Sequence, residues 1–192
     1  MSIQNSSKTK KPFVSYTKYA LSDTEIKRAL EVCNTTEKET ILRLGVYLGI
    51  RRDDMAHILI SNIDFTNHRL AFKEKKKGNK IHTVPMIPDL EVCLKKHINA
   101  GKKRDYLFER PSGSTLYRRF QDIIKDAGLQ RSDRTNIPFH ALRGTSYKFW
   151  QRKGMAVEQI ASLMDDTVKT AMEHYGAPTL VEIESTMNRT TI

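Results

Sequence analysis

After a polar start, apolar residues recur at helical spacing. Ile26, Ala29, Leu30 and Cys33 fall three and four positions apart, and Ser22 with Glu25 forms the S-x-x-E capping box of a helix start. A second helix is predicted from Glu37 to Gly49. Its Ile41, Leu42, Leu44, Val46, Tyr47 and Leu48 make it apolar nearly all round, the mark of a buried element. The period then changes. Between Ile58 and Met86 the segments ILISNIDF, RLAFKEK and KIHTVPM read as strands, with Thr66-Asn67-His68 and Gly78-Asn79 supplying turn chemistry. Helical patterns return at 89–99, 115–127, 139–151, 156–164 and 169–174. Pro178 opens a last short helix with Leu180, Ile183 and Met187 on one face. The expected fold class is α+β: a mostly helical domain carrying a small three-stranded antiparallel sheet with one long lysine-rich hairpin.

The chain has 192 residues, enough for one domain with a real core, and its 39% hydrophobic and 29% charged residues exclude a wholly disordered protein. No apolar run approaches the length of a membrane span, and the polar start lacks the apolar stretch of a secretory signal, so a cytoplasmic, nucleoid-associated protein with no membrane partner is expected. Cys33 and Cys93 are spaced for neither a zinc site nor a disulfide framework and read as small buried hydrophobes.

Charge narrows the function. The 33 lysines and arginines against 22 acids leave a net +11, which points to a polyanion as partner. From Met155 onward six acids face two bases, so the excess belongs to the residues before it. Residues 1–18 carry Lys8, Lys10, Lys11 and Lys18 without an acid and read as a flexible basic arm along a nucleic-acid backbone.

Three clusters hold candidate chemistry. In Gly49-Ile50-Arg51-Arg52-Asp53-Asp54-Met55, an arginine follows a buried helix and a glycine, with Asp54 three residues on to pair with it and fix its rotamer. KEKKKGNK, Lys73 to Lys80, puts lysines at a hairpin tip. In Phe139-His140-Ala141-Leu142-Arg143, the i and i+3 spacing puts imidazole and guanidinium on one helix face. Taken singly, each has a plainer reading: a surface ion pair, a solvated turn, a structural histidine.

Their order is the pattern of the tyrosine recombinases, the phage-integrase family, which the chain resembles over about residues 20 to 176. YALSDTEIKRAL resembles the family's opening helix, LRLGVYLGIRRDDMAHI its first-arginine segment, KGNKIHTVPM its lysine hairpin, PFHALRGTSYKF its H-x-x-R box and DDTVKTAMEHYG its nucleophile box. The resemblance implies a site-specific recombinase or integrase that cleaves and rejoins DNA through a 3′-phosphotyrosyl intermediate, with no metal and no cofactor. Tyr175 would be the nucleophile, Arg51 and Arg143 would grip the phosphate, and His140 would bond it or take part in proton transfer. Lys77 would protonate the leaving 5′-oxygen. Lys75, Lys76, Lys80, Arg118 and Arg119 are the DNA-binding candidates, and Asp54 has the supporting role.

Two departures from the family stand out. Where it usually has glycine-histidine in the nucleophile box, this chain has Met164-Asp165 or Asp165-Asp166, so one of Asp165 and Asp166 fills the sixth catalytic position. Most members also carry a helical domain before the catalytic one; here only the basic arm precedes it, which fits a catalytic fragment or a short recombinase. The implied organisation is an arm (1–18), a catalytic domain (19–176) and a tail helix (177–192) for exchange between subunits. The partner would be double-stranded DNA carrying a specific site, with a dimer or tetramer assembled on it. The alternatives are a type IB topoisomerase-like or telomere-resolving enzyme, and a non-catalytic DNA-binding accessory protein with a decayed site.

Overall fold

The computed structural model describes residues 16–129, 136–175 and 180–187. Apart from a 3₁₀ turn at Tyr16–Tyr19, the expected basic arm lies outside the described residues. Helix α1 (Asp23–Glu31) starts on the expected box: Glu25 N donates to Ser22 Oγ at 3.3 Å and Ser22 N to Glu25 Oε2 at 2.8 Å. Helix α2 (Thr36–Leu48) is capped by the Thr35 side chain and closed by Gly49 at φ 60°, where a residue with a Cβ would be strained. As its sequence requires, α2 is the central helix: Ile41, Leu42, Leu44, Val46 and Leu48 are all buried.

Helix α3 (Arg52–Ala56) is too short for periodicity to announce. The sheet follows: β1 (Ile63–Asp64), β2 (Arg69–Glu74) and β3 (Lys80–Pro85), antiparallel in that order, with Leu70 opposite Val84 and Glu74 opposite Lys80. The first strand is shorter than its pattern suggests. Ile60–Asn62 is a 3₁₀ turn, and Leu59 bridges to Tyr106 instead, with Leu107 N donating to Ile58 O at 2.8 Å. These apolar residues pair with the segment 105–107 instead of extending the sheet.

The rest is helical: α4 (Pro88–Ala100), α5 (Gly113–Asp126), α6 (Ala141–Arg152), α7 (Val157–Leu163), α8 (Val168–Tyr175) and α9 (Leu180–Met187). Helix α2 packs against α4, α5 and α6. At the α2–α6 crossing the backbones come so close that a Cβ on Gly45 would lie 2.5 Å from Leu142 Cδ1. Most of the core is one cluster around α2. A smaller cluster, Tyr147, Ile160, Ala161, Met164 and Ala171, joins α6, α7 and α8. Between the two, Trp150 Nε1 donates to the Tyr47 carbonyl at 2.6 Å. Helix α9 touches α6 of its own chain and leaves Leu180, Ile183 and Met187 exposed.

Cys93 is buried as expected, but Cys33 is only half-buried, its Sγ donating to the Ala29 carbonyl at 3.2 Å. Burial pushes its thiol up to about 11, which makes it unreactive. No helix of the described residues is long and apolar enough to cross a membrane.

Candidate active site

Four elements converge where α2 ends. Gly49 turns the chain so that Arg51, at the N-cap of α3, enters from one side. The β2–β3 hairpin closes over it, α6 brings His140 and Arg143, and the α7–α8 turn brings Asp165 and Asp166. The hairpin is held down by His82, whose Nε2 lies 3.0 Å from the Leu163 carbonyl.

Arg143 is 3% exposed. Its Nη1 donates to the Gly49 carbonyl at 2.8 Å and its Nη2 to the Met164 carbonyl at 2.6 Å and to Asp166 Oδ2. Arg51 places Nη1 on Glu74 Oε1 at 2.5 Å and Nη2 on Asp166 Oδ1 at 3.2 Å. The two guanidiniums therefore share one carboxylate, an oxygen each. Arg52, one position along, points elsewhere and pairs with Asp53 at 3.1 Å.

The supporting role expected of Asp54 needs correcting. It does not pair with Arg51; its Oδ1 accepts the backbone N–H of Lys75 at 3.0 Å and so anchors the hairpin tip. The expectation assumed both residues on one helix face. Arg51 is an N-cap with ψ 142°, extended backbone that takes its side chain off that face.

The carboxylate that does meet Arg51 is Glu74, which the sequence reading missed. It is 1% exposed, and burial, with Asp165 nearby, pushes its carboxyl up to about 7 against the opposing pull of Arg51. Its signal was positional: Glu74 falls in phase with Leu70 and Phe72 on the inward face of β2. Asp165, hydrogen-bonded by the Glu74 carboxyl and then held by Lys77, is driven well below the usual carboxylate range.

Of the hairpin lysines, Lys77 reaches furthest into the cluster: its Nζ donates to Asp165 Oδ2 at 2.6 Å and to the Asp165 carbonyl. Lys80 sits 3.8 Å from Asp165 Oδ1. Lys75 turns away, its Nζ 3.3 Å from His57 Nε2, while Lys76 is close enough to His140 for its charge to act on it. His140 is pushed down to about 4 by burial first and then by Arg143, Arg51 and Lys76, so its imidazole is neutral at pH 7. Arg118 and Arg119 join none of this. They line a separate groove of about 1040 Å³ with Glu37, Arg104 and Asp122, and Arg119 pairs with Glu37 at 3.0 Å. Tyr175 is the last residue of α8, the helix that leaves the Asp165-Asp166 turn; its side chain lies outside the described residues, as does that of His174. Among the described residues no group of three or more His, Cys, Asp or Glu side chains is arranged to hold a metal ion.

Chemically the cluster can seat an oxyanion. Two fixed guanidiniums hold the two oxygens of the Asp166 carboxylate, Lys77 holds the neighbouring Asp165, and the neutral imidazole of His140 lies close enough to feel Arg51, Arg143 and Asp166.

The phage integrase family model matches residues 20–179. A curated relative, the tyrosine recombinase XerA of Saccharolobus solfataricus, is 26% identical over 145 residues, covering 76% of this chain and 47% of that protein. The chain spans about half the length of the curated relatives it matches. Among solved structures, a XerA recombinase superposes with a TM-score of 0.75 at 24% identity, over 90% of this chain and 66% of that one. A XerH site-specific recombinase bound to difH substrate, a pre-cleavage complex, gives 0.67 at 20% identity, over 88% of this chain and 53% of that one.

Proposed function

The chain belongs to the phage integrase family, and on that footing we propose that it cuts and rejoins double-stranded DNA as a tyrosine-type site-specific recombinase. One observation carries the reading: Arg51 and Arg143, far apart in sequence, each place a guanidinium nitrogen on the same carboxylate. A phosphodiester presents the same pair of acceptor oxygens. Guanidiniums fixed on its non-bridging oxygens gain strength as charge builds on them in the transition state.

In the proposed step the Tyr175 oxygen attacks phosphorus, forming the 3′-phosphotyrosyl bond while the bond to the 5′-oxygen breaks. Lys77 gives its proton to that leaving oxygen. The phenol proton passes to His140 or to water. A neutral imidazole with its proton affinity pushed this low is a weak base on its own, but an arriving phosphate anion offsets the cations that depress it. Attack by the freed 5′-hydroxyl on the phosphotyrosyl bond reverses the step and expels Tyr175. Asp165 has φ 48°, a conformation that suits the glycine of the family's usual glycine-histidine pair, which supports Asp166 as the sixth position. Lys75, Lys76 and Lys80 are proposed as backbone contacts, and the exposed Leu180, Ile183 and Met187 of α9 support assembly of several chains on DNA.

A second reading has an observation of its own: the carboxylates already on the arginines suit a DNA-binding protein that no longer cleaves. One experiment separates the two. A nicked duplex, selected by this protein from random-sequence DNA, is incubated with the wild-type chain and with Tyr175→Phe, then run on a denaturing gel. A covalent band in the wild type alone is expected. No band in either returns the chain to the accessory reading, and a band in both moves the nucleophile elsewhere. Strand exchange between two duplexes, set against relaxation of a supercoiled circle, separates recombinase from topoisomerase.

A further inference from the structure

Four site cations, Arg51, Arg143, Lys77 and Lys80, are paired with one turn. Met164–Thr167 joins α7 to α8, and its Asp166 bridges Arg51 Nη2 and Arg143 Nη2 while its Asp165 takes Lys77. Nothing in the turn itself requires acids. Its closing bonds are made by backbone, Asp165 N to the Ser162 carbonyl at 3.1 Å and Asp166 N to the Ala161 carbonyl at 2.9 Å, so they ask for no carboxylate at 166, and φ 48° at 165 favours glycine or asparagine as much as aspartate. The carboxylate sits between the guanidiniums on their inner nitrogens, where the two phosphate oxygens of a substrate would have to sit.

Two anions cannot keep those nitrogens together. With Glu74 ionised, three carboxylates (Glu74, Asp165, Asp166) face four cations (Arg51, Lys77, Lys80, Arg143) beside a neutral His140, so most of the positive charge of the seat is already neutralised from within. A phosphate gains the arginines only as Asp166 gives them up. Because Val168 begins α8 two residues later and Tyr175 ends it, release of Asp166 removes one tie from the N-terminal end of the helix that carries the tyrosine, while Ala171 stays packed in the small core cluster.

We propose that Asp166 is a positioning residue that stands in for the scissile phosphate, tying the α7–α8 turn to Arg51 and Arg143 until a phosphodiester displaces it. The proposal rests on the reading of these arginines as the phosphate seat. Binding and release are then linked in both directions: whatever weakens the tie strengthens anion binding, and an anion in the seat loosens the turn.

The test uses the full chain and inorganic phosphate at constant ionic strength, with binding followed by calorimetry and by the amide NMR signals of residues 164–168. Asp166→Asn should bind phosphate at least about tenfold more tightly than wild type, the scale of removing one close like charge. Asp166→Glu, which keeps the carboxylate, should stay near wild type, and adding Arg51→Ala to Asp166→Asn should cancel the gain. A residue that merely held the fold together would lose affinity on substitution, so a gain is the discriminating sign. Wild type supplies a readout that needs no variant: saturating phosphate should shift the 164–168 amides. If these amides stay fixed while phosphate binds, or if a folded Asp166→Asn chain gains nothing, the proposal is overturned. Should Arg51→Ala still weaken phosphate binding in that case, the seat itself survives; if it does not, the reading of the seat falls as well.

Discussion

Substituting Gly45 by alanine sets two effects of opposite sign against each other. In an ordinary helix interior this change gains about 1 kcal/mol, because alanine gives up less backbone freedom. Here the new Cβ would lie 2.5 Å from Leu142 Cδ1 and 2.9 Å from Leu142 Cβ. The δ-methyl can rotate, but the Leu142 Cβ is fixed to the α6 backbone and its side chain is buried at 1% exposure, so the helices themselves must separate. Overpacking of that kind costs about 1 to 3 kcal/mol. Because the Leu142 Cβ cannot move aside, the clash should prevail and leave Gly45→Ala less stable than wild type by up to about 2 kcal/mol. The separation also has a chemical reading. Arg143 follows Leu142, and its Nη1 is bonded to Gly49, which closes the helix holding Gly45. Urea unfolding gives the stability, and the double variant Gly45→Ala/Leu142→Ala gives the coupling: Leu142→Ala should cost less in the alanine-45 background than in wild type. A Gly45→Ala protein as stable as wild type or more so, with additive effects, would refute the close crossing.

Glu74→Gln should change the pH dependence of stability. The Glu74 carboxyl titrates near 7 when folded against an ordinary 4.5, so its stabilising share is complete below 4.5 and is lost as pH rises through 7. His140, near 4 against 6.5, acts the other way and gains as pH rises across that interval. Wild type should therefore be nearly flat between 4.5 and 6.5, whereas Glu74→Gln climbs there and exceeds wild type above pH 7, with a ceiling of about 3 kcal/mol; parallel thermal-melt profiles would contradict this. Asp54→Ala should loosen the tip of the lysine hairpin by about 1 to 3 kcal/mol, the cost of stranding the Lys75 N–H. It should slow cleavage of a nicked duplex more than it weakens binding, and Asp54→Asn, which keeps an acceptor oxygen, should recover most of the rate; equal loss in both variants would point to the charge of Asp54 instead.

Much of the fold was readable because helices and hairpins announce themselves locally. The α1 capping box, the all-round apolar α2 and the Gly78-Asn79 hairpin turn each depend on neighbours a few residues away. What escaped depends on distant partners. Ile58 and Leu59 looked like a strand, but their backbone partners are Leu107 and Tyr106, which no local pattern reveals. The motifs picked out Arg51, His140, Arg143 and Lys77, and the structure brings these four together. The same motifs gave the wrong partner for Arg51, because Asp54 is near it in sequence but not in direction. Glu74 was hidden among lysines although its strand phase marked it as inward. Asp165 and Asp166 were noticed only as departures, since an acid's role beside two arginines depends on where the turn sits.

The indole that joins the two parts of the core has an optical consequence. Trp150 is the chain's one tryptophan, and it donates to a carbonyl of α2 while packing against the small cluster that supports α7 and α8. Its fluorescence therefore originates at a single point, the seam between the arginine-bearing body and the tyrosine-bearing end. Emission moving to longer wavelength would report water entering that seam, and quenching by a soluble quencher would measure how far it opens. The protein carries its own unlabelled reporter for whether those two parts stay joined when DNA is added.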